Sequence, residues 1–202
     1  MRQSTGDTNG DRARPTVFLD RDGVINRNRD DYVKSWEEFE FLPGSLEALR
    51  ILAGRGVRVV VVTNQSAVGR GIISSKTLKG IHRRMAAEVE AHGGRIDAVL
   101  CCPHAPDDGC QCRKPQPGLL LEAARRFGID PSTACFIGDG LCDLKAANAV
   151  GIPFVMVLSG KGLPASLQHA SCGYDLRWVA RDLESAVRWF VRRDGWEEED
   201  AA

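Results

Sequence analysis

The sequence lacks any apolar run approaching the roughly 20 residues of a membrane span, which excludes a helical membrane anchor as an expectation. It lacks an apolar segment near its start as well. "MRQSTGDTNGDRARP" is polar and glycine-rich, and predicts a disordered lead-in over residues 1–14 in place of a signal peptide. It has no excess of either charge: Lys+Arg and Asp+Glu both number 27, for a formal net charge of zero. Nothing in that balance favours a nucleic-acid or membrane partner, and the expected compartment is the cytoplasm. There is no internal repeat and no composition shift that would mark a second domain. The chain of 202 residues, 43% hydrophobic and 27% charged, is long enough for one substantial core. Residues 15–194 are therefore expected to form a single domain, and the acidic stretch 195–202 a solvated tail. A monomer is the expected state.

Seven cysteines stand against these absences, but an odd number without an export signal argues against a disulfide framework. Four of them, Cys101, Cys102, Cys110 and Cys112, crowd beside His104, which reads as a metal cluster before it reads as disulfides. Cys135 reads as core, and Cys142 and Cys172 have no predicted role.

What is present is an alternation of strand and helix patterns. "TVFLD" (16–20), "VRVVVVTN" (57–64), "RIDAVLCC" (95–102), "TACFIGD" (133–139) and "PFVMVLSG" (153–160) are apolar or β-branched runs expected as buried strands. Between them, residues 44–56, 74–94, 117–129 and 144–152 carry helical spacing, with Ser74 as a cap, closing glycines and a proline in the first turn of the third. Residues 182–193 place Leu183, Ala186, Val187, Phe190 and Val191 on one helical face. This pattern predicts an α/β fold: a doubly wound, Rossmann-like parallel sheet with helices on both faces and no room for a large cap domain.

Ligands of such folds sit outside the carboxyl ends of the strands. The first strand ends at Asp20, with Asp22 two residues on; the second at Thr63 and Asn64; the fourth at Gly138 and Asp139, with Asp143 nearby; Arg113 and Lys114 follow the third. Clustered aspartates suit a hard cation, most often Mg²⁺. Lys and Arg beside a hydroxyl suit a phosphate. One carboxylate can then attack phosphorus while a second protonates the leaving oxygen and activates water. On this reading a divalent cation lies between the repelling carboxylates. The calcium-loop reading of Asp-x-Asp-Gly fails, because Gly23 stands at its fourth position and Val24 at its fifth. Singly, Asp20 is equally a turn residue and "GDGLCD" a glycine turn with a helix cap; their joint arrival at successive strand ends carries the functional reading.

"DRDGVIN", "VVVVTNQS", "CRKPQPG" and "FIGDGLCDLKAA" resemble, in order, the motifs of the haloacid-dehalogenase-like phosphatases, over roughly Val17 to Leu158. "CCPHAPDDGCQCRKPQPG" resembles the zinc loop of one branch, the D-glycero-D-manno-heptose 1,7-bisphosphate 7-phosphatases, shared with histidinol-phosphatase domains. The resemblance implies a Mg²⁺-dependent phosphatase with Asp20 as nucleophile and Asp22 as acid/base. Thr63 and Lys114 would steady the phosphoryl group, and Asp20, the Asp22 carbonyl and Asp139 would hold Mg²⁺, with Asp143 as a further candidate. It implies structural Zn²⁺ on Cys102, His104, Cys110 and Cys112, with Cys101 the competitor for a place. It implies sugar-phosphate contacts from Asn28, Arg29, Tyr32, Asn64, Gln65, Ser66 and Arg113. The substrate it implies is the heptose bisphosphate of cell-surface heptose synthesis, histidinol phosphate being the alternative and a zinc-stabilised binding module the reading from another class. Two departures bear on the substrate: Gly140 stands where the heptose enzymes commonly carry a basic residue, and the zinc loop is short.

Overall fold

A computed structural model describes residues 14–160 and 176–193. The polar start apart from Arg14, Cys172 and the acidic tail lie outside the described residues. The elements are β1 (Thr16–Leu19), α1 (Ser45–Gly54), β2 (Arg58–Asn64), α2 (Ser75–Ala91), β3 (Ala98–Cys102), α3 (Gly118–Phe127), β4 (Ala134–Gly138), α4 (Leu141–Asn148), β5 (Phe154–Val157), β6 (Leu176–Ala180) and α5 (Leu183–Arg193). All pairings are parallel, in the order β3-β2-β1-β4-β5-β6. The strand order reverses at β1, which pairs with both β2 and β4, and that reversal opens a crevice at the carboxyl ends.

The period of two along each strand sorts side chains onto two faces. Val17, Leu19, Val59, Val61, Ile137 and Val155 pack with α1, α2 and α5. Phe18, Val60, Val62, Phe136, Phe154 and Met156 pack with α3 and α4. The expected face of α5 is the buried one: Leu183, Ala186, Val187, Phe190 and Val191 all lie in the first cluster. Burying each of Leu183, Val187, Phe190 and Val191 contributes about 1.5–3 kcal/mol. On the second face Phe136 sits edge-on between Phe18 and Phe154, at centroid distances of 6.3 and 5.7 Å. No helix among the described residues is long and apolar enough to cross a membrane.

Among the differences from expectation, three boundaries and one strand have local reasons. β3 begins at Ala98, because Asp97 turns its carboxylate to the Val59 N–H at 2.9 Å. Pro117 caps α3 from outside instead of lying in its first turn. α4 begins at Leu141, three residues before the expected 144, because Asp143 accepts the Gly140 N–H at 3.1 Å and closes the first turn. β6 was not expected at all: "LRWVA" is a half-buried edge strand, and its exposed Arg177 breaks the apolar run that marks central strands.

Phe154→Ala should cost about 3–5 kcal/mol in urea denaturation. Phe154 opens β5 at the end opposite the crevice, so turnover per folded molecule should be unchanged.

Candidate active site

The crevice is a cavity of about 360 Å³. It brings together Asp20, Asp22, Thr63, Lys114 and Asp139 with Asn28, Arg29, Tyr32, Asn64, Gln65, Ser66 and Arg113. Every residue expected to touch substrate thus lines one space, and Asp143 lies directly behind it, fully buried. The elements deliver them as follows. Asp20 leaves β1 while its N–H still bonds Ile137 of β4, at 3.1 Å. Thr63 and Asn64 end β2, and Asp139 follows β4. Gly23 makes the turn after Asp22 possible: its φ is +85°, and a Cβ there would overlap the Asp139 carboxylate.

Lys114 is the electrostatic centre. Its ammonium lies 3.0 Å from Asp20 Oδ1 and 2.7 Å from Asp143 Oδ1, and donates to the Val62 carbonyl at 2.7 Å. Three N–H bonds meet three acceptors, and the side chain is 1% exposed. Although burial opposes the charge, Asp143 and Asp20 hold the Lys114 pKa well above the ordinary lysine range. Its backbone is held from both sides by Asn64, which donates to the Lys114 carbonyl and accepts its N–H, each at 3.0 Å. The amide of Asn64 is therefore spent on positioning Lys114.

Asp20 and Asp22, two residues apart, sit in opposite environments. Burial pushes Asp20 up to about 7; Lys114 opposes this, and Asp143, Asp139 and Asp22 reinforce it. Asp22 is held below its ordinary value: burial works against the charge, but the Arg21 guanidinium and hydrogen bonds from Arg21, Asn26 and Gln65 outweigh it. The charge assigned in the sequence to a divalent cation alone is thus shared. Arg21 compensates Asp22, and Lys114 compensates Asp20 and Asp143. Arg21 was missed, as were Arg70 on the cavity wall and His82 behind Arg21. A cation bracketed by the two aspartates of "DRD" was the available signal for the first; the other two had none, because only chain folding brings them near.

Two metal sites fit the donors present. Oxygens of Asp20, Asp139 and Asp143 lie within 4.8 Å of one another, a hard-cation set. The Asp22 carboxylate is turned away from them toward Arg21, so of Asp22 only the backbone is left for such an ion. In the loop after β3, Cys102 Sγ is 3.5 Å from His104 Nδ1 and 3.6 Å from Cys110 Sγ; Cys112 Sγ is 3.3 Å from His104 Nδ1 and 3.6 Å from Cys110 Sγ. Zn–S bonds of about 2.3 Å and Zn–N bonds of about 2.05 Å give tetrahedral edges of about 3.8 and 3.5 Å, so the four atoms are spaced for zinc. Cys101 stands outside the set and packs beside Ala67, Ile73 and Leu78. The loop also supports the cavity wall: Gln65 N–H bonds Cys102 O at 2.7 Å, and Gly69 N–H bonds Pro103 O at 2.8 Å.

Comparison with known proteins places this geometry. Residues 111–186 match the HAD-hydrolase-like family. The D-glycero-beta-D-manno-heptose-1,7-bisphosphate 7-phosphatase of Pseudomonas putida is 45% identical over 171 residues, 83% of this chain and 98% of that protein. The alpha-named counterpart of Mycobacterium bovis is 44% identical over 136 residues, 66% of this chain and 72% of that protein. The crystal structure of D,D-heptose 1,7-bisphosphate phosphatase from Bordetella bronchiseptica, complexed with magnesium and phosphate, superposes with a TM-score of 0.83 at 39% identity, covering 88% of this chain and 98% of that one.

In metal-free protein, folded Asp20 titrates near 7 against 3.8 unfolded, so its contribution to stability falls as pH rises through that window. Lys114→Met should deepen the fall, costing about 3–5 kcal/mol at pH ~8 and less at pH ~5, where Asp20 holds its proton. Urea denaturation in EDTA at the two pH values measures the difference.

Proposed function

The chain belongs to the HAD-like hydrolases, within the heptose-1,7-bisphosphate 7-phosphatase family, and from that membership we propose that it is a Mg²⁺-dependent phosphatase removing the 7-phosphate of D-glycero-D-manno-heptose 1,7-bisphosphate. The observation that carries this reading is the Asp20–Lys114–Asp143 cluster opening onto a cavity that also holds Arg29, Arg70 and Arg113. One end of the cavity suits a reacting phosphoryl group. The arginines suit a second anionic group on the same substrate. Histidinol phosphate carries cations where a bisphosphate carries charge of the opposite sign, so the arginines disfavour it. They also supply the positive charge that Gly140 does not.

In the proposed reaction Asp20 attacks phosphorus in line, and the P–O bond to the sugar breaks. The Asp22 carboxylate, ionised beside Arg21, takes a proton from the bound phosphate monoanion and passes it to the departing oxygen, leaving an aspartyl-phosphate on Asp20. Asp22 then takes a proton from water as that water attacks phosphorus, releasing phosphate and restoring Asp20. Thr63 holds one phosphoryl oxygen, Lys114 another with the N–H that Asp20 gives up as it turns to phosphorus, and Arg113 the rest of the substrate. Asp20, Asp139, Asp143 and the Asp22 carbonyl would hold Mg²⁺, which when bound screens the carboxylates from the incoming phosphate. Cys102, His104, Cys110 and Cys112 would hold a structural Zn²⁺ that orders the loop carrying Arg113 and Lys114. We place the enzyme in the cytoplasm as a monomer, feeding cell-surface heptose synthesis.

Phosphate release from both anomers of heptose 1,7-bisphosphate and from histidinol phosphate, with Mg²⁺ and with EDTA, tests the reading. Fast, Mg²⁺-dependent release from one bisphosphate anomer is expected. Equal slow release from all three would sink the substrate assignment, and no release would favour a zinc-stabilised binding module. Asp20→Asn should lower turnover at least about a thousandfold. Cys112→Ala should lose bound zinc by metal analysis and lower the melting temperature.

A further inference from the structure

Asp22 is held in a cage. Its Oδ1 accepts from Arg21 Nη2 at 2.8 Å and Asn26 Nδ2 at 2.9 Å; its Oδ2 accepts from Arg21 Nη2 at 2.9 Å and Gln65 Nε2 at 2.7 Å. A single guanidinium nitrogen straddles both oxygens, in place of the two-nitrogen fork that fixes an arginine's plane against a carboxylate. A contact through one corner leaves the guanidinium free to pivot about that corner. Its second terminal nitrogen, Nη1, lies 3.1 Å from His82 Nε2 on α2. The remaining Nε is buried without a partner, the plane lies over the Phe39 ring at 5.9 Å, and Arg21 is 1% exposed. His82 therefore supplies the second polar point that stops the pivot. Burial and the adjacent guanidinium push the His82 pKa down to about 3, so the imidazole stays neutral and Nε2 accepts. His82 does not line the cavity and has no contact with substrate space.

We propose that His82 is a positioning residue for the acid/base carboxylate, acting through Arg21. The proposal rests on the assignment of Asp22 as the acid/base group. Its consequence depends on the leaving group. A sugar alkoxide cannot leave without the proton from Asp22, whereas p-nitrophenolate leaves without one. Misplacing Asp22 should therefore slow the first phosphoryl transfer from an alkyl phosphate and spare transfer from an aryl phosphate.

Rapid-quench measurement of the first turnover tests this with heptose 1,7-bisphosphate and p-nitrophenyl phosphate in parallel. For His82→Ala, sugar release in the first turnover should fall about ten- to a hundredfold. The burst of p-nitrophenolate and the KM for the bisphosphate should be unchanged, and His82→Gln, whose carbonyl offers an acceptor at similar reach, should restore most of the rate. His82→Leu, which keeps the volume, carries the same expectation if alanine unfolds the chain. An equal fall with both substrates, or no fall with either, would overturn the proposal. Asp22→Asn is the control: if it leaves first-turnover sugar release intact, the acid/base assignment itself fails; if it abolishes release while His82→Ala does not, only the positioning role fails.

Discussion

The active end of this molecule depends on one buried ammonium group. Lys114 donates one N–H bond to each of three acceptors: a carboxylate from β1, a carboxylate from α4 and a carbonyl from β2. Without that cation three carboxylates would face one another at the sheet's reversal point, in surroundings that already push Asp20 up to about 7. Because Lys114 arrives on the loop after β3, the folding of an irregular cysteine-rich segment and the electrostatics of the strand ends are one problem. Cys102, His104, Cys110 and Cys112 converge within the loop, and Asn64 clamps the Lys114 backbone to the end of β2.

A second, separate arrangement compensates Asp22. Arg21, Asn26 and Gln65 surround its carboxylate and hold its pKa down, while burial raises that of Asp20. Two carboxyl groups in neighbouring positions are thereby driven apart in proton affinity. The division follows from which cation each oxygen meets. It also explains the orientation of Asp22, whose carboxylate turns toward Arg21 and Gln65 while the other acidic oxygens converge.

Much of this was legible in the residues themselves. A parallel sheet buries both of its faces, so β1, β2, β4 and β5 read as unbroken apolar runs, and the residues just past each run named the site. The zinc-type donors were legible because all four fall within one short loop, Cys102 to Cys112. What escaped notice had a physical reason in each case. β6 is an edge strand, half-buried, and does not need a continuous apolar stretch. The start of α4 was misplaced because a carboxylate cap, a tertiary ligand candidate in the same residue, closes its first turn. Arg21 carried a signal in its place between two aspartates, but nothing local says whether such an arginine points outward or inward.

The sequence by itself determined the order of the first five strands and of the helices, the residues at the strand ends and the set of metal-type donors, because these follow from period, burial and spacing along one chain. Only the tertiary structure decided how the charges pair. Lys114 is 94 residues from Asp20 and 29 from Asp143, and His82 is 61 from Arg21. Such partners are chosen by how the sheet reverses and where the loops dock, and a buried charge takes whichever counter-charge folding brings within about 3 Å.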